Sequence, residues 1–150
     1  MKLILNNIVV FLFIFIFIKG LAAKDFSANY KIELGPLDLG TIEWTLMIEK
    51  NNYTTSMILR DRGVFSKIYS FRGEYSSKGK IINDIFVSSK YTQYWKTKKK
   101  TRQVEIIFKD KKISSLVLKP IEKEKPRIDH LNIKNLNDPL SSFLNILLGD

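Results

Sequence analysis

Apolar and polar positions alternate along most of this chain. Phe26, Ala28, Tyr30, Ile32 and Leu34 fall on one side of an extended segment, with Asn29, Lys31 and Glu33 on the other. A period of two predicts a strand with one buried face. Gly35-Pro36 punctuates, and Gly40 closes a connection into Thr41–Glu49, where Ile42, Trp44, Leu46 and Ile48 alternate again. Lys50-Asn51-Asn52 reads as a turn, and Tyr53, Thr55, Met57 and Leu59 form the next apolar face. The pattern is that of an up-and-down meander.

Residues 61–71 break the rhythm. Val64, Phe65, Ile68, Tyr69 and Phe71 suit neither a tidy strand nor a long helix, so a helical turn tucked against the sheet is expected. Arg72–Ser77 reads as a short strand and Lys78-Gly79 as a turn. A long strand region, 81–95, follows, with Ile81, Ile85, Val87, Tyr91 and Trp95 assigned to one face. Val104, Ile106 and Phe108 mark another strand, Asp110-Lys111-Lys112 a turn, and Ile113–Leu118 the last strand.

Beyond Pro120 the periodicity stops, and residues 119–137 read as a polar loop. It ends in a helix start over 138–148, with Asp138 as N-cap and Pro139 at the first helical position. Leu140, Phe143, Leu144 and Leu147 then fall on one helix face. The expected fold is mainly β: a curved antiparallel sheet or partial barrel of six or seven strands, with the amphipathic C-terminal helix covering its concave side.

The first 23 residues follow another pattern. Met1-Lys2 gives a short positive start, and Ile8–Ile18 is an unbroken apolar run. Lys19-Gly20 breaks it, and Leu21-Ala22-Ala23 offers small residues at a cleavage point near Ala22 or Ala23. A retained anchor is the rival reading. As a helix the run rises about 16 Å, roughly half of the hydrocarbon thickness. Extending it backwards must absorb Asn6 and Asn7. The expectation is therefore a signal peptide over 1–23, a single β-rich domain over 24–150, and a periplasmic location.

Composition refines this picture. There are no cysteines, which excludes a disulfide framework and a lipid-anchored cysteine. The chain is strongly basic, with a formal charge of +10 that falls only by Lys2 and Lys19 if the leader departs. Much of that excess is lysine, beside abundant isoleucine and asparagine, a trio that an AT-rich genome favours. The remainder fits attraction to anionic headgroups or other acidic partners.

Candidate chemistry is sparse. The lone histidine, His130, sits beside Asp129 in the polar loop without a patterned metal-ligand partner. Ser141-Ser142 lacks the G-x-S-x-G elbow of a nucleophile and reads as helix-surface or packing serines. The glycines form no phosphate-binding motif. Glu33, Glu43, Glu49, Glu74 and Glu105 read as solvated strand faces, with a cross-sheet acid/base pair as the rival. No catalytic residue, metal or cofactor is expected. Lys96, Lys98, Lys99, Lys100 and Arg102 follow Tyr91, Tyr94 and Trp95 where a hairpin should turn. A solvated loop tip or contact with an anionic membrane surface is expected there, rather than nucleic acid. The aromatic content of Trp44, Phe86, Tyr91, Trp95 and Phe108 reads as core first. Trp44, Phe86, Tyr91, Trp95 and Phe143 are also the residues that would line a cavity for an apolar ligand.

Three segments resemble the bacterial exported family known as domain of unknown function 3108. Tyr30–Gly40 (YKIELGPLDLG) is similar to its first hairpin, and Tyr69–Gly73 followed by Lys78-Gly79 to its middle segment. Asp138–Leu144 (DPLSSFL) resembles its most distinctive motif. The resemblance spans roughly residues 26–148 and implies a periplasmic β-rich protein with no known catalytic residues. By fold-level analogy alone, sheet plus helix is similar to periplasmic lipoprotein carriers. Members of the family usually continue past the helix into further strands, whereas this chain stops at Gly149-Asp150. A fragment, a frameshifted product and a naturally short member all remain open.

The functional expectation is an uncharacterised, non-enzymatic cell-envelope protein of a Gram-negative periplasm. It would bind an apolar or lipid-like ligand or an envelope partner. The alternative is a structural protein that pairs through a sheet edge, with no small ligand.

Overall fold

β-Branched and aromatic residues on alternate positions carry the chain through seven strands, each hydrogen-bonded to the next in sequence. In the computed structural model these are β1 (Lys24–Leu34), β2 (Leu37–Glu49), β3 (Asn52–Asp61), β4 (Phe71–Ile82), β5 (Ile85–Thr97), β6 (Thr101–Lys109) and β7 (Lys112–Lys119). All pairings are antiparallel, and the curved sheet is not closed. The structure describes residues 24–63, 65–121, 133 and 135–148. The expected leader and most of the expected polar loop, His130 and Asp129 included, lie outside them. No helix of the described residues is long and apolar enough to cross a membrane.

The expected meander is present, and a helical turn, α1 (Phe65–Ile68), interrupts it between β3 and β4. The reading of residues 72–95 needs correction. Lys78-Gly79 is no turn; β4 runs through it to Ile82, and the hairpin turns at Asn83-Asp84. Both turn residues have positive φ, 50° and 61°, a conformation that Asn and Asp tolerate better than most non-glycine residues. The expected face of β5 also combines residues from both sides of the strand. Lys78 pairs with Lys90 while Gly79 pairs with Ser88, so Ser89 is an extra residue that reverses the alternation. Phe86, Ser88 and Tyr91 therefore share the buried side, and Ile85 is exposed.

The C-terminal helix, α2 (Pro139–Leu148), packs on β4 and β5. Leu144 is wholly buried among Trp44, Leu46, Tyr53 and Phe86, and Leu140 packs in a second cluster with Tyr91 and Phe108. The predicted apolar helix face holds only in part. The buried stripe is Leu140, Ser141 and Leu144, while Phe143 and Leu147 are 40% and 51% exposed. Polar anchors, described below, rotate the helix so that two residues of the expected apolar face, Phe143 and Leu147, turn outwards with Ile146 and Leu148.

Candidate functional site

Asp138 begins α2 as expected of an N-cap. Its Oδ1 accepts the backbone N–H groups of Leu140 at 2.9 Å and Ser141 at 3.1 Å. Its Oδ2 accepts the hydroxyls of Ser77 on β4, at 2.6 Å, and of Ser141, at 2.5 Å. Four donors fill the acceptor capacity of one carboxylate, which is how a side chain only 1% exposed remains satisfied. With the Ser141 proton on Asp138, the Tyr53 hydroxyl is left to donate to Ser141 Oγ at 2.5 Å. Burial is the main cause that pushes the Tyr53 phenol above its ordinary range. This Ser–Asp–Tyr cluster has the composition of a reactive site, but Tyr53, Ser77, Asp138 and Ser141 are each at most 2% exposed. It fastens the helix to the sheet.

Two asparagines complete the fastening. β5 extends past its ladder with β6, which begins at Lys90, so the outer backbone groups around Phe86 lack a strand partner. Asn145 accepts from Phe86 N at 2.7 Å and donates to Phe86 O at 3.0 Å. Asn137 donates to the same oxygen at 2.8 Å and accepts from Ser88 N at 3.0 Å. The amides stand in for the missing strand. Nothing in the sequence pattern singles out Ser77, Asn137 and Asn145, because polar residues on a strand, in a loop or on a helix read as solvent-facing.

Of the expected ligand-binding residues, Trp44, Phe86 and Tyr91 are buried in the packed core, and Trp95 is half-buried on β5. Trp44 Nε1 donates to Thr55 Oγ1 at 2.9 Å, which satisfies the indole. Phe143 is partly open, and the structure brings it to Trp44, with ring centroids 5.4 Å apart. On the other side of Trp44 lies Phe26, at 5.1 Å and 43% exposed. Phe26, Trp44 and Phe143 thus form a continuous aromatic strip from edge strand β1 to α2, flanked by exposed Tyr30 and Leu147. The sequence pattern shows Phe26 and Tyr30 only as strand-face residues; they are exposed on β1, which has no strand beyond it among the described residues.

The opposite face of the sheet carries an open groove of about 420 Å³ between β3 and β7, lined among others by Ile58, Glu74, Tyr94, Gln103 and Lys119. None of the five expected ligand-binding residues lines it. Lys96, Lys98, Lys99, Lys100 and Arg102 lie at the end of β5, the turn after it and the start of β6, all exposed as expected. Among the described residues no group of three or more His, Cys, Asp or Glu side chains is placed to hold a metal ion.

No curated protein and no solved structure matches the chain. A family model described as "Protein of unknown function (DUF3108)" matches residues 28–148, from the first strand to the end of α2. The buried contacts of Asp138, Ser141 and Leu144 give the DPLSSFL segment a structural role within that span. The chain belongs to the DUF3108 family.

Proposed function

We propose that this is a periplasmic cell-envelope protein that works by binding, without catalysis, and that its ligand is apolar or lipid-like. The observation that carries the reading is the aromatic strip Phe26–Trp44–Phe143, two of whose three rings are open to solvent beside exposed Leu147. Exposed apolar side chains grouped around a shared ring, rather than scattered singly, mark candidate binding surface. Sealing of the Ser77–Asp138–Ser141 cluster from solvent supports a non-catalytic role. The location rests on the leader pattern of residues 1–23.

The test uses tryptophan emission. Trp95→Phe leaves Trp44 as the single reporter, and titration with a medium-chain fatty acid should give a saturable change. Phe143→Ala should weaken it. No change in emission, together with no lipid co-extracted from natively purified protein, would sink the reading. N-terminal sequencing of the cellular protein tests location, since a product that begins at Met1 and resides in the inner membrane contradicts it.

A second reading rests on the outer edge of β1, whose 11 residues have no strand beyond them among the described residues. Such an edge is a template for pairing with another chain. A photocrosslinker at exposed Asn29 that captures one defined envelope protein, with no response to fatty acid, would favour it.

A further inference from the structure

The antiparallel meander brings one set of turns to a single end of the sheet: the β1–β2 turn, the β3–α1–β4 connection and the β5–β6 turn. Direct contacts join them. Arg62 N donates to Leu39 O at 3.1 Å, which ties the connection to β2. Lys98 Nζ donates to Lys67 O at 2.5 Å, which ties α1 to the β5–β6 turn.

This end combines two chemistries. Lys67, Lys98, Lys99 and Lys100 are exposed, and none of them forms an ion pair among the described residues. At the same end Leu34, Leu37 and Tyr69 are 66%, 50% and 49% exposed. The connections at this end, residues 35–36, 62–70 and 98–100, hold Arg62 and the four lysines and no acidic residue. Glu33 and Asp38 on the adjoining strand ends pair with Lys31, and Asp61 closes β3. The connections at the opposite end hold Lys50 and Lys111 against Asp84 and Asp110. Cations around exposed apolar side chains fit the interface of an anionic bilayer. The lysines meet headgroup phosphates, while leucine and tyrosine enter the acyl boundary.

We propose that this end of the sheet seats the protein on an anionic phospholipid membrane, with the lysines of α1 and the β5–β6 turn on the headgroups and Leu34, Leu37 and Tyr69 at the acyl boundary. The seat is separate from the aromatic strip, so membrane docking and capture of a fatty acid can fail independently.

The experiment is vesicle co-sedimentation, with the protein in the N-terminal form it has in the cell. Vesicles of phosphatidylcholine with about a third phosphatidylglycerol are compared with pure phosphatidylcholine. Binding is expected on the first only, and it should fall steeply with added salt. The triple variant Lys98→Gln, Lys99→Gln, Lys100→Gln should lose about a hundredfold in partitioning. The triple variant Lys109→Gln, Lys111→Gln, Lys112→Gln removes the same charge from the other end and should change it by no more than about twofold. Leu37→Asn should weaken binding with little change in the salt slope. An unchanged circular dichroism spectrum checks that each variant is folded. Equal binding to both vesicle types, or equal loss from the two triple variants, overturns the proposal. So does retention on a single-stranded oligonucleotide with no vesicle binding.

Discussion

Asn145 lies against the backbone of Phe86 as a neighbouring strand would, accepting its N–H at 2.7 Å and donating to its carbonyl at 3.0 Å. The side chain belongs to a helix, yet it closes a gap in a sheet. The same amide that satisfies β5 therefore also fixes the rotation of α2, and that rotation leaves Phe143 beside Trp44 at the surface.

Replacing Asn145 by alanine should cost about 1–3 kcal/mol, because the Phe86 N–H is left without its partner. Phe86 O keeps its bond from Asn137, so the loss is confined to one backbone group and the helix contact. Urea denaturation checks this, read as a lower midpoint with an unchanged slope. A loss under about 0.5 kcal/mol, the usual range of surface substitutions, would mean that water replaces the amide freely.

Asp138→Asn should destabilise the fold by about 2–3 kcal/mol, since an amide nitrogen would face the hydroxyls of Ser77 and Ser141 where both now donate. Ser77→Ala removes one of those donors. The double variant should therefore cost less than the two single costs together, by at least about 0.5 kcal/mol. Strict additivity in this cycle would show that Ser77 and Asp138 do not act together.

Gly79→Ala tests a close approach in the sheet. A Cβ there would collide with the Val87 carbonyl oxygen and come within 2.9 Å of the Tyr53 ring. The backbone cannot yield without breaking the pairing of Gly79 with Ser88, so a loss of about 3 kcal/mol or more is expected. Thermal unfolding reads it directly, and a melting temperature within a degree or two of the parent would contradict it.

Gly79 also shows where the sequence could be read and where it could not. The period of two made the meander legible, and the Asp138-Pro139 pair made the helix start legible, because both signals are local. Lys78-Gly79 reads as a turn because its glycine answers to atoms distant in sequence, the Val87 carbonyl of the neighbouring strand and the Tyr53 ring, rather than to its own backbone conformation. The true turn at Asn83-Asp84 lacks the glycine that usually marks a two-residue hairpin. One extra residue at Ser89 then exchanged the two faces of β5 before Tyr91. The buried contacts of Ser77 and Ser141 and the sheet contact of Asn145 depend on partners 59 to 88 positions away, which no local pattern encodes. The aromatic strip is half legible: Trp44 and Phe143 stand out as aromatics, but Phe26 meets Trp44 through the β1–β2 register and Phe143 meets it through the rotation of α2.

Tyr91 predicts an alkaline limit to stability. Its phenol is pushed up to about 12, chiefly by burial, with the Asp138 carboxylate and Tyr75 adding to the effect. An unfolded tyrosine gives up its proton near pH 10. Between about pH 10 and 12 the unfolded chain has therefore lost this proton while the folded one retains it, so stability falls as pH rises. The contribution is fully present below pH 10 and declines by up to about 1.4 kcal/mol per unit across that window. Tyr91→Phe has no proton to lose and should flatten this part of the profile. Tyr53 and Tyr75, both also raised by burial, leave a residual slope of the same sign. Urea midpoints at pH 8, 10 and 11 for parent and variant separate the two contributions. Parallel profiles would show that the Tyr91 hydroxyl ionises in the folded protein as readily as in water.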